Sequence, residues 1–280
     1  MELIINADDF GMSRTVNQAI VDGYNNGILT STCIMANMPA FEDAIRKLNQ
    51  IEGIGLGVHL NIIEYKTILK TLEKNSKLYD KEGRFNNGFI QMIIKSFDDD
   101  FMFEVEQEFR AQIETVLQYA KPDHLDSHVH THAIPRIFNL VCKLAKEYGI
   151  PCVRTQFEHP YYAKNHKKDF LKINYYVNMI KILILNTFTL INRLTVKKYG
   201  LKTNDCVIGV GYTAMMDENT IFSGIKKVAN NNELLEVICH PDTNEKRPSN
   251  LKEYQAVTNE NLKQFIQSLK TCSFKNFVKE

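Results

Sequence analysis

Apolar and polar positions along this chain switch repeatedly between a strand period and a helix period, which predicts a run of β-α units. "LIINA" (Leu3–Ala7) is a short apolar stretch ending in polar residues, as a buried parallel strand does. "SRTVNQAIVDGYNNG" then sets Val16, Ile20 and Tyr24 on one helical face, with Ser13 as N-cap and Gly27 as stop. "ILTSTCIMAN" (Ile28–Asn37) is strand-like, "FEDAIRKLNQ" (Phe41–Gln50) is helical, and "IGLGVHLN" (Ile54–Asn61) is again a strand. Ile62–Asp100 breaks the rhythm with turn signals such as "DKEGRFNNG" and reads as an insertion over one end of the fold. An amphipathic helix, Phe103–Ala120, follows with Val105, Phe109 and Ile113 on one side.

The rhythm then resumes. "HLDSH" (His124–His128) is a strand end, Pro135–Gly149 a helix closed by glycine, and "PCVRT" (Pro151–Thr155) a strand. Asp205–Val210 and Leu234–His240 are two further strands, and Asn259–Lys270 makes a closing helix. With no internal repeat and no low-complexity linker, one α/β domain over residues 1–280 is predicted. Its parallel sheet is either closed as a barrel or open and doubly wound. Ile173–Gly200 fits less smoothly, being apolar nearly all round. Its uncharged run, Ile182 to Asn192, is much shorter than the roughly 20 residues of a membrane span, so no transmembrane segment is expected. The segment is expected to pack on the fold or in a homodimer interface, or to form a lid that touches a hydrophobic substrate.

Composition narrows the class. The chain has 280 residues, 44% hydrophobic and 24% charged, enough for one large buried core. A formal net charge of +1 provides no general field for nucleic acid. The chain opens at once on a strand-like run without an export signal, and its six cysteines form no CxxC pair. Both features point to buried thiols in a cytoplasmic protein.

The chemistry collects at strand ends. Asp8 and Asp9 follow the first strand, His59 ends the third, Asp126 and His128 the fourth, Arg154 the fifth and His240 the last. In parallel β/α folds the loops converge on an open face there, and ligands bind at it. "HLDSHVHTH" alone holds four of eight histidines. If the strand continues, His128, His130 and His132 share one face, and such a cluster binds metal or shuttles protons. Singly, "ADDFG" is as easily a turn with an Asx cap, and His59 or His240 a satisfied histidine. Jointly they describe one site.

"IINADDFGMS", "GILTSTCIMAN", "LGVHLN", "HLDSHVHTHAIP", "VRTQ" and "EVICHPD", in that order from Leu3 to about Asp242, resemble the YdjC-like carbohydrate deacetylases. That family includes chitooligosaccharide deacetylase and the hopanoid-biosynthesis-associated deacetylases. The resemblance implies a distorted (β/α) TIM-like barrel of the glycoside hydrolase/deacetylase type, a divalent metal and removal of an N-acetyl group from an amino sugar. Insertions at about 62–100 and 157–202 carry no family motif.

Amide hydrolysis needs activated water, an oxyanion stabiliser, a base and an acid. One carboxylate and two imidazoles leave a metal with open positions; Asp9, His59 and His128 supply that set, and the resemblance points to the same three. Asp8 is expected as base and His240 as acid for the leaving amine. Asp126 and His130 are expected to orient the ligands. His132 either faces substrate or caps the next helix, and Arg154 either holds a carboxylate or binds a sugar oxygen. The ligand types suit Zn²⁺, Co²⁺ or Mn²⁺, whereas the family is usually described with Mg²⁺. The expected partner is a small acetylated sugar. The rival classes are a metal-dependent phosphoesterase or amidohydrolase, a glycosidase, which requires two carboxylates flanking the bond, and a non-catalytic sugar-binding protein.

Overall fold

Leu3, Ile5 and Ala7 bury one side of the first strand in the same cluster as Val16 and Ile20 of the following helix. The other side, Ile4, Asn6 and Asp8, turns toward strands that are far away in sequence. That division sets the plan of the molecule. The computed structural model describes residues 1–71, 73, 75–166, 173–228 and 234–279. Its strands are β1 (Glu2–Phe10), β2 (Ser31–Ile34), β3 (Gly55–Leu60), β4 (His124–Ser127), β5 (Cys152–Val153), β6 (Cys206–Ile208) and β7 (Leu234–Cys239). They form one sheet in the order β5-β4-β3-β2-β1-β7-β6, every pair parallel.

The sheet curls until its two edge strands approach each other. Val207 N–H donates to the Phe157 carbonyl at 2.7 Å. Asn204 stitches the same seam, accepting from Thr155 N at 2.8 Å and donating to the Thr155 carbonyl at 2.9 Å. A side-chain amide thus stands in for a missing strand ladder, and the result is a distorted (β/α) barrel.

The helices are α1 (Arg14–Asn25), α2 (Phe41–Lys47), α3 (Phe89–Lys95), α4 (Asp99–Leu117), α5 (Pro135–Tyr148), α6 (Ile173–Tyr199), α7 (Glu218–Val228), α8 (Pro248–Val257), α9 (Glu260–Gln267) and α10 (Phe274–Lys279). Their ends follow local chemistry. Ser13 Oγ accepts from Val16 N at 3.2 Å, and α5 runs from a proline in its first turn to Gly149 at φ 68°. The helix expected at Phe103–Ala120 starts earlier, because Asp98 caps it by accepting from Asp100 N and Phe101 N. The expected strand Ile28–Asn37 pairs only over Ser31–Ile34. Among its described residues the insertion is coil with two antiparallel bridges, Lys66 with Arg84 and Tyr79 with Phe85, followed by α3.

The barrel interior is layered. At the amino end Ile4, Cys152, Leu234 and Phe274 form a small apolar plug. Above it lies a charged layer of Asp8, Asp126, Arg154 and Glu236, all essentially without solvent exposure. On the seam side Val207, Val210 and Ile238 meet Ile182 and Leu185 of α6, so one face of that long helix is part of the core.

Candidate metal and active site

The end of β1 makes a sharp turn that separates two adjacent carboxylates. Asp9 takes a left-handed backbone (φ 72°) and Gly11 follows at φ 103°. A Cβ on Gly11 would lie 3.0 Å from the Met35 carbonyl oxygen, so glycine is required there. Asn17 closes the turn by accepting from Gly11 N at 2.7 Å. Left-handed non-glycine residues carry strain on the order of 1–3 kcal/mol and cluster at functional sites. The turn leaves Asp8 facing into the charged layer and Asp9 facing the histidines.

Asp8 is clamped. Arg154 donates to it twice, Nη1 to Oδ2 at 3.0 Å and Nη2 to Oδ1 at 2.9 Å. The same guanidinium reaches Asp126 Oδ2 at 2.6 Å and Glu236 Oε1 from Nε at 2.8 Å. Burial alone would raise the Asp8 pKa, but Arg154 and His59 outweigh it and hold the carboxyl below its ordinary value. Burial likewise opposes ionisation of Asp126, and the same two cations overcome it. Of the two expected roles for Arg154, the structure shows carboxylate binding; the side chain is buried away from solvent.

His59 is oriented from behind. Its Nδ1 lies 2.8 Å from Asp126 Oδ1 and 3.0 Å from Cys33 Sγ, and its Nε2 lies 3.4 Å from Asp9 Oδ1. A carboxylate on one ring nitrogen directs the other outward as a ligand. His128 approaches from the opposite side, with Nδ1 3.0 Å from Asp9 Oδ1 and Nε2 3.0 Å from Glu64 Oε2. Glu64 is placed by an Asx turn in which Asn61 Oδ1 accepts from Ile63 N and Glu64 N, both at 3.1 Å.

The histidine run does not continue as a strand. His128–Ala133 is a 3₁₀ turn in which Val129 and His130 are left-handed, at φ 52° and 58°. His128, His130 and His132 therefore do not share a face. His130 accepts from Gln156 Nε2 at 3.0 Å, and burial holds its pKa well below the usual imidazole value. His132 does not face the cavity and does not cap the next helix. Its Nε2 donates to the Arg154 carbonyl at 3.0 Å and its Nδ1 lies 2.6 Å from Ser127 Oγ. Burial pushes His132 down to about 4.

His240 stands at the rim, a quarter of its side chain exposed, with Nε2 3.9 Å from Asp8 Oδ2 and Nδ1 3.6 Å from Glu253 Oε2. Burial lowers its pKa, but the Glu253 contact and charge more than reverse this. A cavity of about 260 Å³ opens between Asp8, Asp9, His59, His128, His130 and His240, with Lys181 and Arg247 on its wall. Lys181, Glu64 and Glu253 have no motif in the sequence, and Glu236 opens "EVICHPD" without a role assigned to it there. The one available signal was an acid inside an apolar strand, Glu236 in "LLEVICH".

Asp9, His59 and His128 each offer an atom within 4.8 Å of the others. With protons in place of a cation, burial lowers both imidazole values but Asp126 lifts His59 and Asp9 lifts His128, the latter up to about 9. Burial raises Asp9, and His128 and His59 pull it well below the ordinary range. Two imidazoles that take up protons against one carboxylate are a donor set that suits a divalent cation. A second group, Asp8, Cys33, His59 and Asp126, also comes together. Arg154 already compensates its carboxylates, and burial keeps the Cys33 thiol far above its usual pKa, so it suits a cation less well.

A family model described as "YdjC-like protein" matches residues 2–268. A carbohydrate deacetylase from Clostridium beijerinckii is 36% identical over 185 residues, covering 65% of this chain and 72% of the relative. One from Listeria monocytogenes serotype 4b is 32% identical over 220 residues, covering 78% and 83%. Among solved structures, a "putative cellobiose-phosphate cleavage protein" from Enterococcus faecalis V583 superposes with TM-score 0.71 at 23% identity, over 99% of this chain and 98% of that one. That likeness shows the barrel fold.

Proposed function

Because the chain belongs to the YdjC-like protein family, we propose that it is a metal-dependent carbohydrate deacetylase that removes an N-acetyl group from an amino sugar. The observation that carries this reading is the meeting of Asp9, His59 and His128 beside a separately clamped Asp8. Asp9, His59 and His128 would hold one divalent ion, of which Mg²⁺ and Zn²⁺ are the candidates. When bound, such an ion supplies Lewis acidity toward a carbonyl oxygen and lowers the pKa of water.

The chain's own residues do the rest. Asp126 fixes the His59 ring from behind, and Glu64 steadies His128. Asp8, kept ionised by Arg154, takes the proton from the attacking water. His240, held by Glu253, gives a proton to the departing amine nitrogen. The 0%-exposed Arg154 keeps three carboxylates from repelling one another and fixes where Asp8 points. A glycosidase fits less well, since Asp8 faces Arg154 and does not flank a bond with Asp9. A two-metal phosphoesterase would need the second cluster, which Arg154 occupies.

Purified protein, assayed for bound metal and for acetate released from N-acetylated mono- and disaccharides, tests the reading. Acetate should appear, should stop on chelation and should return with added metal. His128→Ala should lose stoichiometric metal with the circular dichroism spectrum intact. A metal-loaded protein that releases no acetate from any N-acetylated sugar would overturn the assignment.

A further inference from the structure

Helix α6 presents two apolar faces, and among the described residues only one of them has a partner. Ile182 and Leu185 pack into the seam of the barrel with Val207, Val210 and Ile238. On the opposite side Val177, Ile180, Leu183, Leu190, Ile191 and Leu194 are each more than half exposed. Spaced at three, four and seven residues, they make a stripe about 26 Å long at about 1.5 Å rise per residue, broken near its middle by the exposed Thr187. Neighbouring α3, whose Phe89 packs with the Ile182 cluster, exposes Ile90 and Ile94 as well. Soluble monomers rarely leave a contiguous surface of this kind in water.

Charge and position say what covers it. From Ile173 to Tyr199 the helix carries Lys181, Arg193, Lys197 and Lys198 and no acidic residue, although the whole chain has a net charge of only +1. The helix is long and apolar enough by composition to cross a bilayer. Crossing would pull Ile182 and Leu185 out of the barrel, so the helix lies along a surface. Lys181 turns to the cavity wall and Arg193 donates to the Asp205 carbonyl, which leaves Lys197 and Lys198 exposed at one end of the stripe with no acid on the helix. Apolar residues on one side beside such cations are the composition of a helix that sits in the headgroup region of an anionic membrane. A second copy docked stripe to stripe would bring another α6, again with cations and no acid. The position also fits, because Lys181 forms part of the wall of the catalytic cavity and Asn178 donates to the Gly211 carbonyl beside it.

We propose that the outer face of α6 docks on an anionic membrane surface and thereby presents the cavity to acetylated sugars carried on lipids. The docking rests on the surface alone. The substrate class rests on the deacetylase reading.

Co-sedimentation of the full chain with vesicles of phosphatidylcholine, alone or mixed with phosphatidylglycerol, tests the docking without any substrate. Binding should be much stronger to the mixed vesicles and should weaken with salt. L183S/L190S/L194S should abolish it with circular dichroism and metal content unchanged, and each of Lys197→Gln and Lys198→Gln should weaken it about fivefold. A wild-type chain that ignores both vesicles overturns the proposal. So does a wild-type dimer that the triple serine variant turns into a monomer, because a second copy then covers the stripe. Acetate release separates the two readings. The wild type should act faster on an N-acetylglucosaminyl diacylglycerol in mixed vesicles than on the soluble sugar, and the triple variant should lose only that advantage. Equal rates would overturn the lipid-borne substrate, and no release from either would overturn the deacetylase reading and leave the vesicle result standing.

Discussion

The two ends of the barrel hold the molecule's contrasting cavities. At the amino end a space of about 930 Å³ is lined by Leu48, Ile54, Tyr119, Pro122 and their neighbours. At the carboxyl end the cavity is about 260 Å³, yet it gathers two carboxylates and four imidazoles with shifted pKa values and the left-handed Val129 and His130. Volume is therefore a poor guide to chemistry in this fold. What separates the ends is the density of opposed preferences: among the described residues the larger cavity has Asp123 as its buried carboxylate, whereas the smaller one is lined mostly by charged groups and imidazoles that partners must hold in place.

Damage at the carboxyl end should remove function or unsettle the charged layer, whereas damage at the amino end should cost stability alone. The largest effect is expected for Asp8→Asn. It should keep the metal and lose turnover by on the order of a hundredfold to ten-thousandfold, as removal of a positioned base does. Loss of metal in that variant, with retention in Asp9→Asn, would mean that the two neighbouring carboxylates have exchanged roles.

Arg154→Met comes next. It leaves Asp8, Asp126 and Glu236 buried without their shared cation. Removing one partner of a buried ion pair costs about 3–5 kcal/mol, which a shift of the urea midpoint will report. A variant as stable as the parent would show that the charged layer is better hydrated than its burial indicates.

A pH effect of similar origin follows from His132. Its folded pKa of about 4 lies below the unfolded value of 6.5, because burial disfavours the charged ring. The neutral ring also suits its partners, Nε2–H donating to the Arg154 carbonyl and Nδ1 accepting from Ser127. The stabilisation is complete above pH 6.5 and is lost as pH falls toward 4, a change on the order of 3 kcal/mol for this group. His132→Gln should flatten that part of the stability profile, and an unchanged slope would exclude His132 as its source.

The smallest effect belongs to the lower layer. A Cβ on Gly57 would come within 2.4 Å of His124 Nε2, whose ring is stacked on Phe274 at 4.2 Å. Gly57→Ala should cost about 1–3 kcal/mol by overpacking, with kcat per folded molecule within about twofold of the parent. A large loss of kcat there would join the two ends mechanically and dissolve the contrast.

The sequence by itself determined where the polar residues stand along the strands. Apolar runs and their polar termini placed β1, β3, β4, β5 and β7 and the ends that bear Asp8, Asp9, His59, Asp126, Arg154 and His240, because burial and backbone pairing act over a few residues and leave a local pattern. The short strand β2, the capped start of α4, and helices α7 and α8 were less visible, since pairing and caps there depend on neighbours. Tertiary structure alone decided which charge meets which. Arg154 and Glu236 are 82 residues apart and His128 and Glu64 are 64 apart. Neither separation leaves a period to read. The histidine run shows the limit most plainly: alternate spacing has one meaning on a strand and another in a 3₁₀ turn. The left-handed turn at Val129 and His130 is held by Ser127, Gln156 and the Arg154 carbonyl. Those partners come together only when the barrel closes, so the direction of each imidazole is a property of the folded molecule.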